Sequence, residues 1–333
     1  MRIIVDAFGG DNAPLEIIKG SFDAINEYLV DITLVGDETI IKRVCAENNI
    51  DSNVFRIVHS DSVISQEEAG SEIMKSKSDC SMAVGLRLLA DGEGDAFISA
   101  GNSGAVCVGA TLIVKRIKGI SRPGFAPVIP GVTGKFMLMD SGANLQCRPE
   151  MLRQFAIMGS AYMSKVLGVE NPRVGLANVG TEEHKGTEIQ QTTYQLLKET
   201  PVNFIGNVEG RDVPNNACDV LVCDGFTGNL ILKTYEGVAI ALMKKIKAVF
   251  TKNLKNKLGA ALVMSDIKEL KKQFDYSEHG GAPILGVRKP VFKAHGNADA
   301  AAFKSAIRLL KQYTEQNVVG DIADAVQKIK EKD

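Results

Sequence analysis

Tryptophan is absent from these 333 residues, and aromatic side chains make up only 6% of them. The core must therefore come from aliphatic side chains, which a 45% hydrophobic content supplies, and from close backbone approach at some of the 32 glycines. The six cysteines, at 45, 80, 107, 147, 218 and 223, form no C-x-x-C pair, and the four histidines are scattered singly. That spacing offers no zinc site and no disulfide framework, so reduced thiols in a cytosolic protein are expected. No G-x-G-x-x-G opens a helix, and Gly131-Val132-Thr133-Gly134-Lys135 has the wrong spacing for a P-loop. NAD and ATP thus lack their usual phosphate cradle, and no cofactor is expected. No apolar run approaches the ~20 residues that cross a bilayer, and Arg2-Ile3-Ile4-Val5 reads as a strand rather than a secretory leader. A net charge of −1 argues against a general nucleic-acid binder.

What is present is an alternation of short β-type runs with helical ones, the pattern of an α/β fold whose largely parallel sheet is covered on both faces. Strands are predicted over 3–5, 32–35, 54–58, 96–99, 136–139, 173–177, 203–205 and 219–223. Helices are predicted over 14–28, 37–48, 81–90, 149–166, 187–199, 229–250 and 298–316. With no repeat, low-complexity stretch or linker, residues 1–333 read as a single unit of two intertwined lobes sharing one sheet.

Loops rich in Gly, Asn and Asp follow the predicted strands at 6–14, 99–104, 140–144, 178–186 and 224–229. Ligands of open α/β sheets lie outside the carboxyl ends of the strands, so these five loops are expected to form one rim. Each alone is also an ordinary strand-to-helix turn. Main-chain amides, helix starts and Lys185 suit a small oxyanion such as free phosphate. A nucleophile is not evident. Ser103 sits in G-N-S-G rather than G-x-S-x-G and reads better as a helix N-cap. Cys218 and Cys223 flank a strand as small apolar residues. His295 fits a site or a turn equally, while His59, His184 and His279 carry no signal. Asp219 and Asp224, an odd number of residues apart, point to opposite faces, and Asp140 and Asp224 suit the orienting of loop amides; no metal is expected.

Seven blocks occur in order along the chain: DAFGGDNAP (6–14), SAGNSGA (99–105), DSGAN (140–144), GLANVGTEEHKG (175–186), GNVEGRD (206–212), CDGFTGN (223–229) and AHGNADA (294–300). Together they resemble, essentially end to end, the bacterial phosphate acyltransferases of phospholipid synthesis. The resemblance implies transfer of a fatty acyl group from acyl carrier protein to inorganic phosphate. The acyl phosphate made would serve a downstream glycerol-3-phosphate acyltransferase. It further implies a homodimer with the three-layer α/β/α fold of isocitrate and isopropylmalate dehydrogenases and of phosphotransacetylases. It implies a cytoplasmic protein peripherally associated with the inner membrane face.

On that basis Lys185 is expected to neutralise phosphate or the reaction's oxyanion, against an alternative as an exposed lysine at a helix start. Asn229 is expected to donate to phosphate or the carbonyl, against an alternative as an N-cap. Asn102, Ser103, Gly104, Asn144, Asn178, Gly180, Thr181, Gly228 and His295 complete the expected substrate site. Positioning, worth up to ~7–11 kcal/mol of barrier, should outweigh acid–base chemistry, because phosphate brings its own nucleophilic oxygen.

Residues 237–265 contain six lysines (244, 245, 247, 252, 255, 257) and no acid. Apolar residues recur there at helical spacing, so 229–275 reads as an amphipathic helical hairpin with an apolar tip and a basic collar. Leu254, Lys257, Leu258, Leu262 and Val263 could meet an anionic membrane, acyl carrier protein or both; helix packing at a dimer interface is the plainer alternative. Three other functions stay open: a phosphotransacetylase using coenzyme A esters, an NAD-dependent decarboxylating dehydrogenase, and a non-catalytic membrane-associated scaffold.

Overall fold

The computed structural model describes residues 1–267 and 281–331. Its elements begin with β1 (Arg2–Asp6), α1 (Leu15–Tyr28), β2 (Asp31–Gly36), α2 (Glu38–Glu47), β3 (Arg56–His59), α3 (Ser81–Ala90), β4 (Ala96–Ser99) and α4 (Ser103–Gly109). They continue with β5 (Gly124–Phe125), β6 (Val128–Pro130), β7 (Lys135–Met139), α5 (Pro149–Lys165), β8 (Arg173–Asn178), α6 (Glu188–Lys198), β9 (Asn203–Glu209) and β10 (Val220–Val222). Then come α7 (Gly225–Thr251), α8 (Leu254–Leu262), β11 (Gly281–Leu285), β12 (Val291–Ala294), α9 (Ala300–Glu315) and α10 (Val318–Lys330).

Side-chain alternation along the strands sorts the apolar residues into layers. Ile3 and Val5 face one side of β1 and Ile4 the other. The first pair joins the largest buried cluster, which continues through Phe155 and Tyr162 on α5 to Val220 and Val222 on β10. Ile4 instead packs with Phe97 and the apolar faces of α3 and α4, and Phe136, Leu138 and Leu221 pack under α7. Helices therefore cover both faces of mostly parallel strands, an α/β/α arrangement.

The strands form two sheets rather than the single one expected. The first runs β3-β2-β1-β4-β12-β11-β5 and the second β6-β7-β10-β8-β9. The chain leaves the first after β5 and returns to it at β11. Residues 124–130 join the two: the Ala126 N–H donates to the Pro283 carbonyl (3.1 Å) on one side. On the other, Leu138 and Ser141 donate to the carbonyls of Pro127 and Phe125 (both 3.0 Å). The pieces absent from the predicted strands are β5, β6, β11 and β12. Each is short or carries the Gly or Pro that weakens a strand assignment, such as Gly124, Pro130, Gly281 and Pro283.

This seam determines strand direction. β12 and β5 both run antiparallel to β11, and so parallel to each other, whereas β6 runs antiparallel to β7. The carboxyl ends of β1, β4 and β12 therefore point one way along the seam and those of β7, β8 and β10 the other. The five loops do not make one rim. They make two.

Asp140, fully buried at the end of β7, fastens the seam. Its carboxylate accepts from the main-chain N–H of Phe125 (2.9 Å), Ala143 (3.2 Å) and Asn144 (2.7 Å), and from Asn144 Nδ2 (3.0 Å). Helix α7 then packs so close that a Cβ added at Gly228 would lie 1.9 Å from the Asp140 carbonyl oxygen. Replacing Asp140 with Ala should cost about 1–3 kcal/mol for each buried N–H left without an acceptor. Urea denaturation should show a loss of unfolding free energy of several kcal/mol in total; a loss below ~1 kcal/mol would mean that water replaces the carboxylate freely.

Candidate active site

At the first rim, strand register sets three polar residues side by side. Asp6 on β1 pairs with Ser99 on β4, which pairs with Lys293 on β12. The buried Asp6 carboxylate accepts from the hydroxyls of Ser81 and Ser99 (both 2.6 Å) and from the Phe8 N–H (3.3 Å). Burial pushes its pKa up, against the pull of the two hydroxyls. Ser99 Oγ in turn accepts from the Gly101 N–H (2.9 Å), which fixes the start of the A-G-N-S-G turn.

The helix after this turn is capped by Asn102, not by Ser103. Asn102 Oδ1 accepts from the Ala105 N–H (3.0 Å). Its Nδ2 donates to the carbonyls of Ser65, Gln66 and Glu68. Both ends of this buried amide are engaged in holding the loop. Ser103 and Gly104, by contrast, are exposed.

A cavity of about 480 Å³ opens beside Ser103. Asp11, Ser103, Lys293 and His295 line it with polar groups, and Phe125, Pro127, Val128 and Leu232 provide apolar wall. His295 keeps its Nδ1 against the Asn297 side-chain oxygen, with the Asn297 N–H also directed at that nitrogen (3.3 Å). Lys293 lies on the floor, only 7% exposed. Its Nζ donates to the carbonyls of Ala100 (3.1 Å) and Ala294. Burial draws its pKa down to about 8, against the opposing influence of Cys107, Asp11 and Asp6. Sequence reading missed Lys293. The signal was a lysine set among strand-forming apolar residues, Val291-Phe292-Lys293-Ala294.

The second rim carries the other expected residues. Asn144 Nδ2 donates to the Pro123 carbonyl (2.7 Å) as well as to Asp140. Asn178 accepts from the Val179 N–H (2.8 Å) and donates to the Lys185 carbonyl (3.1 Å), closing the 178–186 loop on itself. Gly180 lies close to the aliphatic stem of Lys185, Thr181 is exposed, and Lys185 is half-buried. Asn229 is no N-cap: Asp224 caps α7 by accepting from the Thr227 N–H (2.8 Å), and the helix begins at Gly225. Asn229 sits in its second turn and donates to the Ser141 carbonyl (3.3 Å). None of these second-rim residues lines the cavity.

Thiol chemistry is disfavoured at both rims. Burial, reinforced by the neighbouring Asp140 carboxylate, pushes Cys107 and Cys147 up to about 12. Burial raises Cys223 as well. A thiolate nucleophile would be scarce at neutral pH. Among the described residues no three His, Cys, Asp or Glu side chains gather as metal ligands.

Beyond the rims, α8 follows α7 after two residues, capped by Asn253 accepting from the Asn256 N–H (2.8 Å). Leu254, Leu258 and Leu262 are 74%, 65% and 85% exposed, with Lys257 also exposed and Val263 just after the helix. Residues 268–275 of the expected hairpin, and His279, lie outside the described residues. No helix among the described residues is long and apolar enough to cross a membrane.

Comparison with known proteins agrees with this geometry. Residues 1–320 match a family described as fatty acid synthesis protein. The chain is 45% identical over 328 residues to a phosphate acyltransferase of Thermoanaerobacter pseudethanolicus, covering 98% of each chain. It is 45% identical over 333 residues to that of Clostridioides difficile, covering 100% of this chain and 98% of the relative. Among solved structures, a phosphotransacetylase from Streptococcus pyogenes superposes with a TM-score of 0.60 at 14% identity, covering 98% of this chain and 94% of that one. A putative 4-hydroxythreonine-4-phosphate dehydrogenase from Salmonella typhimurium gives 0.53 at 13%, covering 94% and 98%. At such identities these two share the fold alone. The full-length match to relatives at 45% identity decides the family: the chain belongs to the phosphate acyltransferases of fatty acid and phospholipid synthesis.

Proposed function

We propose that this protein transfers a fatty acyl group from the thioester of acyl carrier protein to inorganic phosphate, giving acyl phosphate and free carrier. The observation that carries this reading is the two-sided cavity. The A-G-N-S-G and A-H-G-N loops bring polar groups to one side, while Phe125, Val128 and Leu232 offer an apolar wall for the acyl chain.

In this reaction a phosphate oxygen attacks the thioester carbonyl carbon. The C–O bond forms, the tetrahedral oxyanion collapses, and the C–S bond breaks with departure of the carrier's thiolate. The thiol's pKa, about 8.5 by analogy with cysteine, makes acid assistance dispensable. Holding the two reactants in line and stabilising the oxyanion are what remains, and fixed donors supply both.

Lys185 and Asn229 do not line the cavity within one chain, so in this reading they act from the second rim of a partner copy in a homodimer. The exposed leucines and the lysines of α7 and α8 favour docking at an anionic membrane surface on the cytoplasmic side, where carrier protein also binds. The acyl phosphate would pass to a glycerol-3-phosphate acyltransferase that uses it. No cofactor enters the scheme.

Incubation with palmitoyl-carrier protein and phosphate should yield acyl phosphate, trapped as the hydroxamate, faster than palmitoyl-coenzyme A does in parallel. Formation from the coenzyme A ester alone would replace the carrier in this reading. Lys185→Ala should lower turnover on the order of 100-fold while leaving the melting temperature unchanged, because the side chain is only half-buried. Near-normal turnover would remove it from the mechanism. Glu in place of both Leu258 and Leu262 should abolish sedimentation with phosphatidylglycerol vesicles; unaltered sedimentation would reject the membrane contact.

A further inference from the structure

We propose that Lys293 is the group that binds inorganic phosphate on the floor of the cavity, as a cation held out of water for that anion. The inference rests on the acyl-transfer reading for the role of the anion as a reactant, but its physical basis is separate.

The position is one that a structural strand would fill with an apolar residue. Val291, Phe292 and Ala294 on the same strand are no more than 1% exposed, and Lys293 is 7% exposed among them. Burying an ammonium there costs several kcal/mol unless a partner compensates. Among the described residues Lys293 forms no ion pair; its acceptors are the two main-chain carbonyls of Ala100 and Ala294. An ammonium has three N–H donors. Two are thereby directed at carbonyls, which fix the Nζ position, and the third is available to an anion in the cavity that Lys293 lines. A buried cation kept at a cleft with no carboxylate at ion-pair distance among the described residues is the arrangement expected of a functional charge rather than a structural one.

The choice of phosphate over the thioester follows from charge. Phosphate is anionic before reaction and repays the desolvated ammonium on binding, whereas the carbonyl oxygen becomes charged only in the transition state. Burial lowers the Lys293 pKa to about 8 despite the opposing pull of Cys107, Asp11 and Asp6, and an anion bound at Nζ would raise it again. The charged or titratable groups facing the site are Asp6 on β1, Asp11 on the loop after it, Cys107 on α4, His295, and Lys233 with Glu236 on α7. Lys233 and Glu236 pair with each other at 2.9 Å, which leaves Lys293 as the cation on the cavity floor.

The test compares wild type with Lys293→Met, whose side chain has a similar length and no charge. Phosphate is titrated by ³¹P NMR line broadening, and KM for phosphate is separated from kcat. Wild type should bind phosphate, and the variant should show a KM for phosphate raised about 100-fold or more. In wild type kcat/KM for phosphate should fall above about pH 8, where Lys293 loses its proton; in the variant that descending limb should be missing. A variant with unchanged phosphate affinity and only kcat lowered would overturn the proposal and make Lys293 an oxyanion stabiliser. If Lys293→Met does not fold, Lys293→Gln, which can still donate to the Ala100 carbonyl, is put through the same titration. Wild type that binds phosphate through Lys293 but makes no acyl phosphate would refute the acyl-transfer reading and leave this proposal standing. Acyl phosphate formed with undiminished phosphate affinity in the variant would do the reverse.

Discussion

The double pairing of residues 124–130 is the constraint on which the rest of the structure depends. This short stretch bonds to β11 along one edge and to β7 along the other, so the two sheets meet at a shared backbone rather than through side chains alone. Because β11 and β7 both run against it, the two sets of parallel strands end in opposite directions. The functional loops are consequently divided. The turns after β1, β4 and β12 open onto the cavity, and those after β7, β8 and β10 open away from it. Asp140 makes this geometry hold, since one carboxylate draws together the seam at Phe125 and the loop at Ala143 and Asn144. A buried carboxylate that receives so many N–H groups is tied to one backbone arrangement, because any slip of β5 against β7 would strand the donors.

Much of this was legible in the residues. Continuous apolar strands, helices that begin near Asp37 and Pro149, and polar loops after strands follow from periodicity and capping chemistry, and α3 coincides with its predicted limits, whereas α7 begins at Gly225 rather than at the predicted 229. The motif blocks led to the family that the full-length relatives show. The direction of the strands was not legible, because it is settled by β5, β6 and β11, whose Gly and Pro residues hide their strand character. Nor could a sequence tell an asparagine that faces a ligand from one that ties its own loop. Asn102, Asn144 and Asn178 look alike as letters. In the fold each has its amide engaged by neighbouring backbone. Glycine at 228 is likewise a packing requirement, imposed by the Asp140 carbonyl.

The residues that break local rules proved more informative than the residues that suit a turn. Asp6, Asp140 and Lys293 each occupy a strand terminus where burial opposes charge, and each is held by several hydrogen bonds. A chain keeps such groups where they organise backbone or meet a ligand, since an apolar residue would be more stable in isolation. The carboxylates are satisfied from within: hydroxyls and N–H groups saturate them. The ammonium has two carbonyl acceptors for its three N–H donors, and it alone of the three borders the cavity. The buried thiols, with pKa values driven upward, agree with the proposed reaction, whose nucleophile arrives with the substrate.

The same reasoning extends to the exposed helix at the far end of α7. Leu254, Leu258 and Leu262 recur every four residues and so lie on one stripe of α8, mostly exposed. Covering each would gain roughly 1.5–3 kcal/mol, enough together for a reversible association but not for permanent insertion. Lysines at 252, 255 and 257 flank the stripe without an intervening acid, so the surface that covers it must tolerate apolar and cationic groups at once. A lipid headgroup boundary does so, and so does an acidic protein carrying an acyl chain. On the proposed reading either would also carry a long hydrocarbon of the kind that the apolar wall of Phe125, Val128 and Leu232 accommodates. On that reading, a poorly soluble acyl chain that had to diffuse through water between carrier, enzyme and membrane would forfeit its hydrophobic burial at every transfer. In the proposed reaction a reversible apolar tip would shorten that exposure, which gives the basic, leucine-tipped arm and the two-sided cavity one common physical purpose on that reading.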